Sequence, residues 1–337
     1  MLLRLFLLLS LALLACCEPE RRQVRSFSGP TMGSTYEVKF VGTRRQVGGV
    51  LEVVEQELAA FDAAFSNWRD DSEIVRVNGH ASTEPIEVSD RFAGVLQLAL
   101  RLAAATDGAF DPTLKPLSDA YRAAKKDPAH GLADDTVAAA RERVGYRMIS
   151  LEGRRLRKAR ADVQLDLDGL VAGAAADAIA ARLRDRGVAS FYLQITGEVY
   201  CAGSKPDGQP WRIGVVDPSS SAGDQAAVVA LPLRDAALCS SGDYRNATIV
   251  NGKVVHHVFD PRTGKNPEHR VVSASVLASS CAVADALGTA IMVLGADATR
   301  IAWPRMQGLG AVGALLLLPG DNDTWNKVEI EWPSEGS

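Results

Sequence analysis

The sequence predicts a single α+β unit in which mixed sheets pack against helices, and three observations carry that expectation. Apolar residues recur at helical spacing over residues 50–65 and again over 90–105. From Ser190 the texture changes to short strands, punctuated by turns at Gly203, Pro206-Asp207-Gly208, Asp217-Pro218 and Asn251-Gly252. A helical pattern returns over residues 282–294, so the two kinds of element are interleaved, with no internal repeat and no low-complexity break. The 337 residues would also accommodate two domains, but length is a weak guide and nothing in the pattern divides the chain.

Taken in order, the elements begin with a leader. Arg4 precedes an apolar run at residues 5–14 made almost wholly of leucine, too short for a comfortable membrane span and flanked like a signal peptide. Leu13-Leu14-Ala15-Cys16 resembles the bacterial lipobox, in which the cysteine is lipidated and becomes the mature N-terminus. The expectation is a signal peptide over 1–15, an acylated Cys16 and a polar tether over 16–28. Lipid chains would then hold the mature protein on a membrane of the bacterial envelope, facing the periplasm, without crossing it. Residues 34–40 alternate and read as a strand. After the helices at 50–65 and 90–105, Gly108 and Pro112 interrupt the pattern; a third helix is expected over 134–144 and short strands over 146–165. Residues 166–184 open with a glycine-containing turn and run into an alanine-rich helix. Residues 312–318 read as a buried strand and 321–337 as a polar tail, which bounds the folded domain at 29–320.

Hydrophobic residues make up 47% of the chain and charged residues 23%, an ordinary globular balance. A net charge of −4 supplies no broad basic face, so no nucleic-acid partner is expected. Of the five cysteines, Cys16 and Cys17 belong to the leader junction, leaving Cys201, Cys239 and Cys281. None lies in a CxxC or Cys/His spacing, which argues against thiolate zinc and dithiol redox chemistry. An odd number leaves room for one disulfide at most.

Four segments carry chemistry. On a helix, Asp285 and Thr289 are four apart and share a face, so a carboxylate and a hydroxyl can offer two oxygen ligands to Mg²⁺, whose other positions go to water and phosphate. A solvated or capping Asp285 explains the same pair. In His256-His257-Val258-Phe259-Asp260-Pro261-Arg262-Thr263-Gly264, a strand ending in a Pro/Gly turn delivers His257 and Asp260 to a loop where a proton can be accepted. A histidine satisfied within a core fits that pattern as well. Thr106-Asp107-Gly108-Ala109-Phe110-Asp111-Pro112-Thr113 has the small residues that let backbone approach a flat ligand. Leu165-Asp166-Leu167-Asp168-Gly169-Leu170-Val171-Ala172-Gly173 puts glycines and acids at a helix start, whose free N–H groups favour phosphate. Each of the last two also reads as a plain turn, and neither is a Walker A or GxGxxG motif.

Together these segments resemble the FAD:protein FMN transferases of the ApbE family. The resemblance runs from Gly29-Pro30-Thr31-Met32-Gly33-Ser34-Thr35-Tyr36 to about Gly295. Between them lie Phe65-Ser66-Asn67-Trp68, Ser72-Glu73-Ile74, Gly108 to Thr113, residues 166–177, Gly197-Glu198, Ser241-Gly242-Asp243-Tyr244, and residues 257–264 and 284–289. It implies one folded unit with the ligand site in a central cleft. It further implies Mg²⁺-dependent transfer of FMN from FAD, with release of AMP, to a threonine hydroxyl in a Ser/Thr-Gly-Ala-Ser/Thr-like motif. The acceptors would be flavoprotein subunits of membrane redox complexes. Carried over by position, Met32, Trp68, Ala109, Phe110, Asp111, Asp166, Ala172 and Phe259 would line the FAD site. Asp285 and Thr289, with the backbone carbonyl of Gly169, would hold Mg²⁺, and His257 would take the proton from the acceptor hydroxyl. Ala172 stands where the family commonly has lysine or glutamate, Trp68 where it has tyrosine, and Thr196-Gly197-Glu198 where it has Gly-Gly-Asp. Gly288 occupies the place of a second acid in some members. Two alternatives use the same residues: a Mg²⁺-dependent FAD pyrophosphatase giving FMN and AMP, and an FAD-binding lipoprotein without catalysis.

Overall fold

The computed structural model describes residues 22–126, 132–220, 226–242, 248–250, 253–255, 258–321 and 324–334. Its strands begin with β1 (Gln23–Thr31), β2 (Ser34–Gly42), β3 (Ile86–Glu87), β4 (Ile149–Glu152), β5 (Arg155–Lys158), β6 (Phe191–Ile195) and β7 (Glu198–Ala202). They continue with β8 (Trp211–Val216), β9 (Ala227–Leu233), β10 (Ala236–Gly242), β11 (Thr248–Val250), β12 (Lys253–Val255), β13 (Ser273–Ala278), β14 (Ala311–Pro319) and β15 (Trp325–Ile330). The helices are α1 (Val47–Phe65), α2 (Glu73–Gly79), α3 (Asp90–Ala105), α4 (Lys115–Lys126), α5 (Asp134–Arg141), α6 (Asp168–Asp185) and α7 (Cys281–Gln307).

Eight strands form one antiparallel sheet in the order β1-β2-β6-β7-β10-β13-β14-β15. Alternation along each strand sends side chains to two cores. Val38, Phe40, Leu193, Val276 and Leu316 join α1, α6 and α7 in the main core. Val199, Leu238, Leu277, Leu315 and Leu317 face the other way and pack with Trp211 and Leu231 of the β8–β9 hairpin. Burial on both faces explains why Leu315-Leu316-Leu317 is an unbroken apolar run instead of an alternating one. The long helix α7 would suit a membrane by length and composition, yet 72% of its most apolar stretch is buried inside the protein.

The α+β architecture expected from the sequence is the one observed, and α1 and α3 fall where the periodicity puts them. The two ends of the domain differ from expectation. The tether expected over 16–28 gives way at Gln23 to β1, paired with β2 from Gln23↔Gly42 to Thr31↔Ser34. The polar tail expected over 321–337 contains β15, paired with β14 from Ala314↔Ile330 to Pro319↔Trp325, and Trp332 beyond it is buried against the second core. Both are edge strands with much of their surface exposed, so they lack the apolar signature of a covered strand. The expected signal peptide and Cys16 lie outside the described residues.

Two tight turns mark one end of the sheet. Met32-Gly33 joins β1 to β2 with φ values of 48° and 72°, and Thr196-Gly197 joins β6 to β7 with 56° and 128°. The Thr196 N–H donates to the Thr35 carbonyl at 3.0 Å, setting the turns side by side. A bulky methionine in the left-handed region is uncommon and strained, since glycine or asparagine suits such turns.

Candidate functional site

At this end of the sheet a cleft of about 1430 Å³ opens, walled by the loop after α3, the start of α6, the end of β10 and the third turn of α7. Seven of the sequence-predicted residues line it: Ala109, Phe110, Asp111, Asp166, Gly169, Phe259 and Thr289. A Cβ at Gly169 would stand 3.5 Å from the Phe110 ring and 3.6 Å from Thr289 Oγ1, so these three residues meet directly.

The close packing of α6 on α7 creates this meeting point. Gly173 lets the helices approach until a Cβ there would lie 2.5 Å from the Cys281 carbonyl oxygen. Asp177, one turn further along α6, caps α7: its carboxylate accepts from Cys281 N–H at 2.8 Å, Ala282 N–H at 3.0 Å and Ser280 Oγ–H at 2.6 Å. A carboxylate at a helix N-terminus also meets the positive end of the helix dipole. The pairing fixes α7 in register, so Asp285 faces α6.

Asp285, one helical turn before Thr289, is 7% exposed and does not itself line the cleft; its Oδ2 accepts from the Gly173 N–H at 3.2 Å. In a regular helix that N–H bonds to the carbonyl of Gly169, so Asp285 competes for the donor and favours a carbonyl lone pair left open beside Thr289. Burial pushes the Asp285 carboxyl well above the usual carboxylate range, and the nearby Glu198 charge adds to it. Glu198 is itself raised by burial, although Thr196 Oγ–H donates to it at 2.6 Å. Among the described residues no Lys or Arg charge pulls either carboxyl down. Asp168, 54% exposed at the mouth, is pushed up to about 6 by its enclosure in the cleft first and by Asp166 second.

Buried acids without a cation partner, beside a hydroxyl and a carbonyl, form an oxygen-only donor set suited to a hard divalent cation. Among the described residues no group of three or more His, Cys, Asp or Glu forms a metal cage. A cation held by one carboxylate, one hydroxyl and one carbonyl keeps positions for phosphate, which fits the residues present.

The remaining predicted residues are placed differently. Ala172 is buried in the main core and does not line the cleft, so it offers no polar group there. Met32 is half-buried against the same core at its strained turn. The Trp68 side chain is 86% exposed and outside the cleft lining, while its neighbour Asn67 donates to Asp168 Oδ1 at 3.0 Å. Asp111 lines the cleft, but Thr113 N–H at 2.8 Å, Thr113 Oγ–H at 2.6 Å and Tyr146 N–H at 2.7 Å occupy its carboxylate. It therefore ties the Phe110 loop to the turn after α5, and burial raises its pKa. Phe259, in edge-to-face contact with Tyr121 at 5.3 Å, closes that wall. His257 lies outside the described residues.

Ser241 and Glu198 sit in blocks quoted from the sequence but carried no expected role. Ser241 Oγ lies 3.5 Å from Thr289 Oγ1, and a Cβ at Gly288 would come within 2.7 Å of it. Ser241 thus fills the space that an acid at position 288 would need. Cys239 and Cys281 face the main core with sulfurs 3.6 Å apart, whereas Cys201 packs in the second core across the sheet. Among the described cysteines, only the first two are close enough to pair.

The site has the chemical makings of a cradle for a phosphorylated, partly aromatic ligand held beside a divalent cation. The chain belongs to the ApbE family, whose model matches residues 32–312. It is 36% identical over 298 residues to the FAD:protein FMN transferase of Vibrio cholerae, covering 86% of this chain and 87% of that one. With the Haemophilus influenzae FAD:protein FMN transferase it shares 33% over 294 residues, 84% of each chain. The solved Pseudomonas stutzeri flavinyl transferase ApbE, apo form, superposes with a TM-score of 0.79 at 32% identity over 93% of this chain and 96% of that one. For the Vibrio cholerae flavin transferase ApbE the values are 0.77, 30%, 91% and 97%.

Proposed function

We propose that this protein is an FAD:protein FMN transferase that moves the FMN half of FAD onto a threonine hydroxyl of an acceptor flavoprotein. The observation that carries it is the meeting of Phe110, Gly169 and Thr289 in one cleft, with Asp285 buried one helical turn before Thr289 on α7. Phe110 and Phe259 supply apolar surface for a ring system, and Gly169 at the start of α6 lines the cleft where the diphosphate would lie. Asp285, Thr289 and the Gly169 carbonyl would hold Mg²⁺, which when bound neutralises charge on the transferring phosphoryl group and orients its oxygens. Asp285 must shed its proton to serve, so metal binding and its ionisation are coupled. His257 accepts the proton of the acceptor hydroxyl, the threonine oxygen bonds to the FMN phosphorus, the P–O bond to the adenylate breaks, and AMP leaves. Acceptors in membrane redox complexes and a lipid anchor at Cys16 complete the proposal. Cys16→Ser should then move the protein from the membrane fraction to the soluble one.

The test of the mechanism is His257→Ala. It should leave FAD binding intact and slow flavinylation by about 10²–10⁴-fold, the usual worth of general-base help. An unchanged rate removes His257 from the chemistry, and FAD cleaved to free FMN with an unlabelled acceptor would make the wild type a pyrophosphatase.

A further inference from the structure

The cleft has a second arm that the proposed FAD site leaves unused. Lys39 on β2 and Tyr192 and Gln194 on β6 alternate with main-core residues, so they lie on the opposite face of the sheet, toward the β8–β9 hairpin. All three line the cleft together with Lys205, Trp211 and Arg212. The arm is therefore continuous with the metal corner around the Thr196–Gly197 turn, but it holds none of the residues that the family resemblance gives to FAD. Its floor is aromatic, with the Tyr192 and Trp211 ring centroids 6.3 Å apart. Its charge is positive. Lys39 Nζ stands 4.9 Å from the centre of the Tyr192 ring, Lys205 Nζ 5.9 Å from that of Trp211, and Arg212 is exposed at the rim. Lys39 also pairs with the half-exposed Glu37 at 3.1 Å, and one Arg212 nitrogen donates to the Ala230 carbonyl at 3.4 Å, which leaves Lys205 and the rest of the Arg212 guanidinium to meet a ligand. In a chain of net charge −4 this concentration of cations on an aromatic floor is local and specific.

Among the described residues, the arm also ends on a strand edge without a partner. Pairing between β7 and β10 stops at Leu238↔Val199, while β10 continues to Gly242 and its Ser240, Ser241 and Gly242 line the cleft. An extended chain lying in the arm can add backbone hydrogen bonds there and bring a side-chain hydroxyl to Ser241 and Thr289.

Resting on the transferase reading, we infer that this arm is the docking groove for the acceptor: an extended, acidic polypeptide segment whose threonine is delivered along the end of β10. The arm recognises flanking carboxylates through Lys205 and Arg212, and the opposite wall keeps FAD.

The experiment uses the full-length protein with an acceptor domain presenting a Thr-containing Ser/Thr-Gly-Ala-Thr segment, made in two versions flanked by aspartates or by lysines. For the wild type, KM for the aspartate version should be at least tenfold below that for the lysine version and should rise with salt. The double variant Lys205→Glu/Arg212→Glu should reverse the preference while leaving KM for FAD and kcat unchanged, and Lys205→Ala should give an intermediate KM with an unaltered melting temperature. Equal KM values for both acceptor versions, or variants that transfer to them like the wild type, overturn the docking groove but leave the transferase reading intact. A wild type that labels neither acceptor overturns the reading itself and the groove with it.

Discussion

Replacing Asp285 by asparagine separates what this carboxyl does in the structure, holding α6 to α7, from the cation binding proposed for it. Its Oδ2 accepts the Gly173 N–H at 3.2 Å, and asparagine keeps an oxygen for that bond. Burial and Glu198 raise its pKa, so the folded state binds the proton more tightly than the unfolded state does. The sign follows: the stability linked to this proton is fully present below the unfolded value, near the model-compound range for aspartate, and is lost as pH rises through the raised folded value. Asparagine has no such loss. Without metal, Asp285→Asn should therefore match or exceed the wild type in melting temperature, by a margin that grows from pH 5 to pH 8. With Mg²⁺ the order reverses, because ligand at 100 times Kd stabilises the wild type by about 2.7 kcal/mol and the variant by little. Asp285→Ala instead loses the bond between the helices, the Gly173 N–H returning to the Gly169 carbonyl, and should cost about 0.5–1.5 kcal/mol with or without metal. Transfer by either variant should fall roughly a thousandfold, since metal stabilisation of the developing charge is worth several kcal/mol at about 1.4 kcal/mol per decade. Thermal melts with and without Mg²⁺, paired with in-gel flavin fluorescence of an acceptor, read all of these quantities. If Asp285→Asn keeps the Mg²⁺-dependent rise in melting temperature and its activity, Asp285 is not a ligand and the reasoning fails.

Two other substitutions probe the frame around the proposed metal site and the mouth of the cleft. Gly173→Ala should destabilise the protein by at least about 1–3 kcal/mol and weaken its response to Mg²⁺, because the new methyl would sit 2.5 Å from the Cys281 carbonyl oxygen; an unchanged melt would show that α6 and α7 can separate freely. Trp68→Ala should change stability by less than about 0.5 kcal/mol, as expected of a side chain that is 86% exposed. If the indole covers bound FAD, the same variant raises KM for FAD, and an unaltered KM would remove Trp68 from the ligand site.

Local spacing made much of this site legible. The four-residue step from Asp285 to Thr289 needs only helix geometry, and the acids and glycines at the start of α6 announce a helix N-terminus. Position in space did not follow so readily. Gly173 reads as a small helix residue until α7 is seen against it, and Asp177 reads as a surface acid until it is seen capping Ser280, Cys281 and Ala282. Trp68 is legible as a stacking ring, but nothing in its local pattern says that the ring points to solvent. Helix α4 was missed because its buried positions, Leu117, Tyr121 and Ala124, are spread among lysines and an aspartate behind Pro112. The edge strands β1 and β15 were missed for a related reason: exposed edges do not need apolar alternation. The end of β10 became meaningful only once β7 was seen to stop short of it.

The most direct measurement compares AMP released with flavin bound covalently to acceptor threonine in one reaction containing the purified protein, FAD, Mg²⁺ and an acceptor domain. Equimolar AMP and bound flavin, both abolished by a chelator and by Asp285→Asn, are expected if the cleft lined by Phe110, Gly169 and Thr289 carries the transfer. AMP formed with no bound flavin, or transfer indifferent to the chelator, would contradict it.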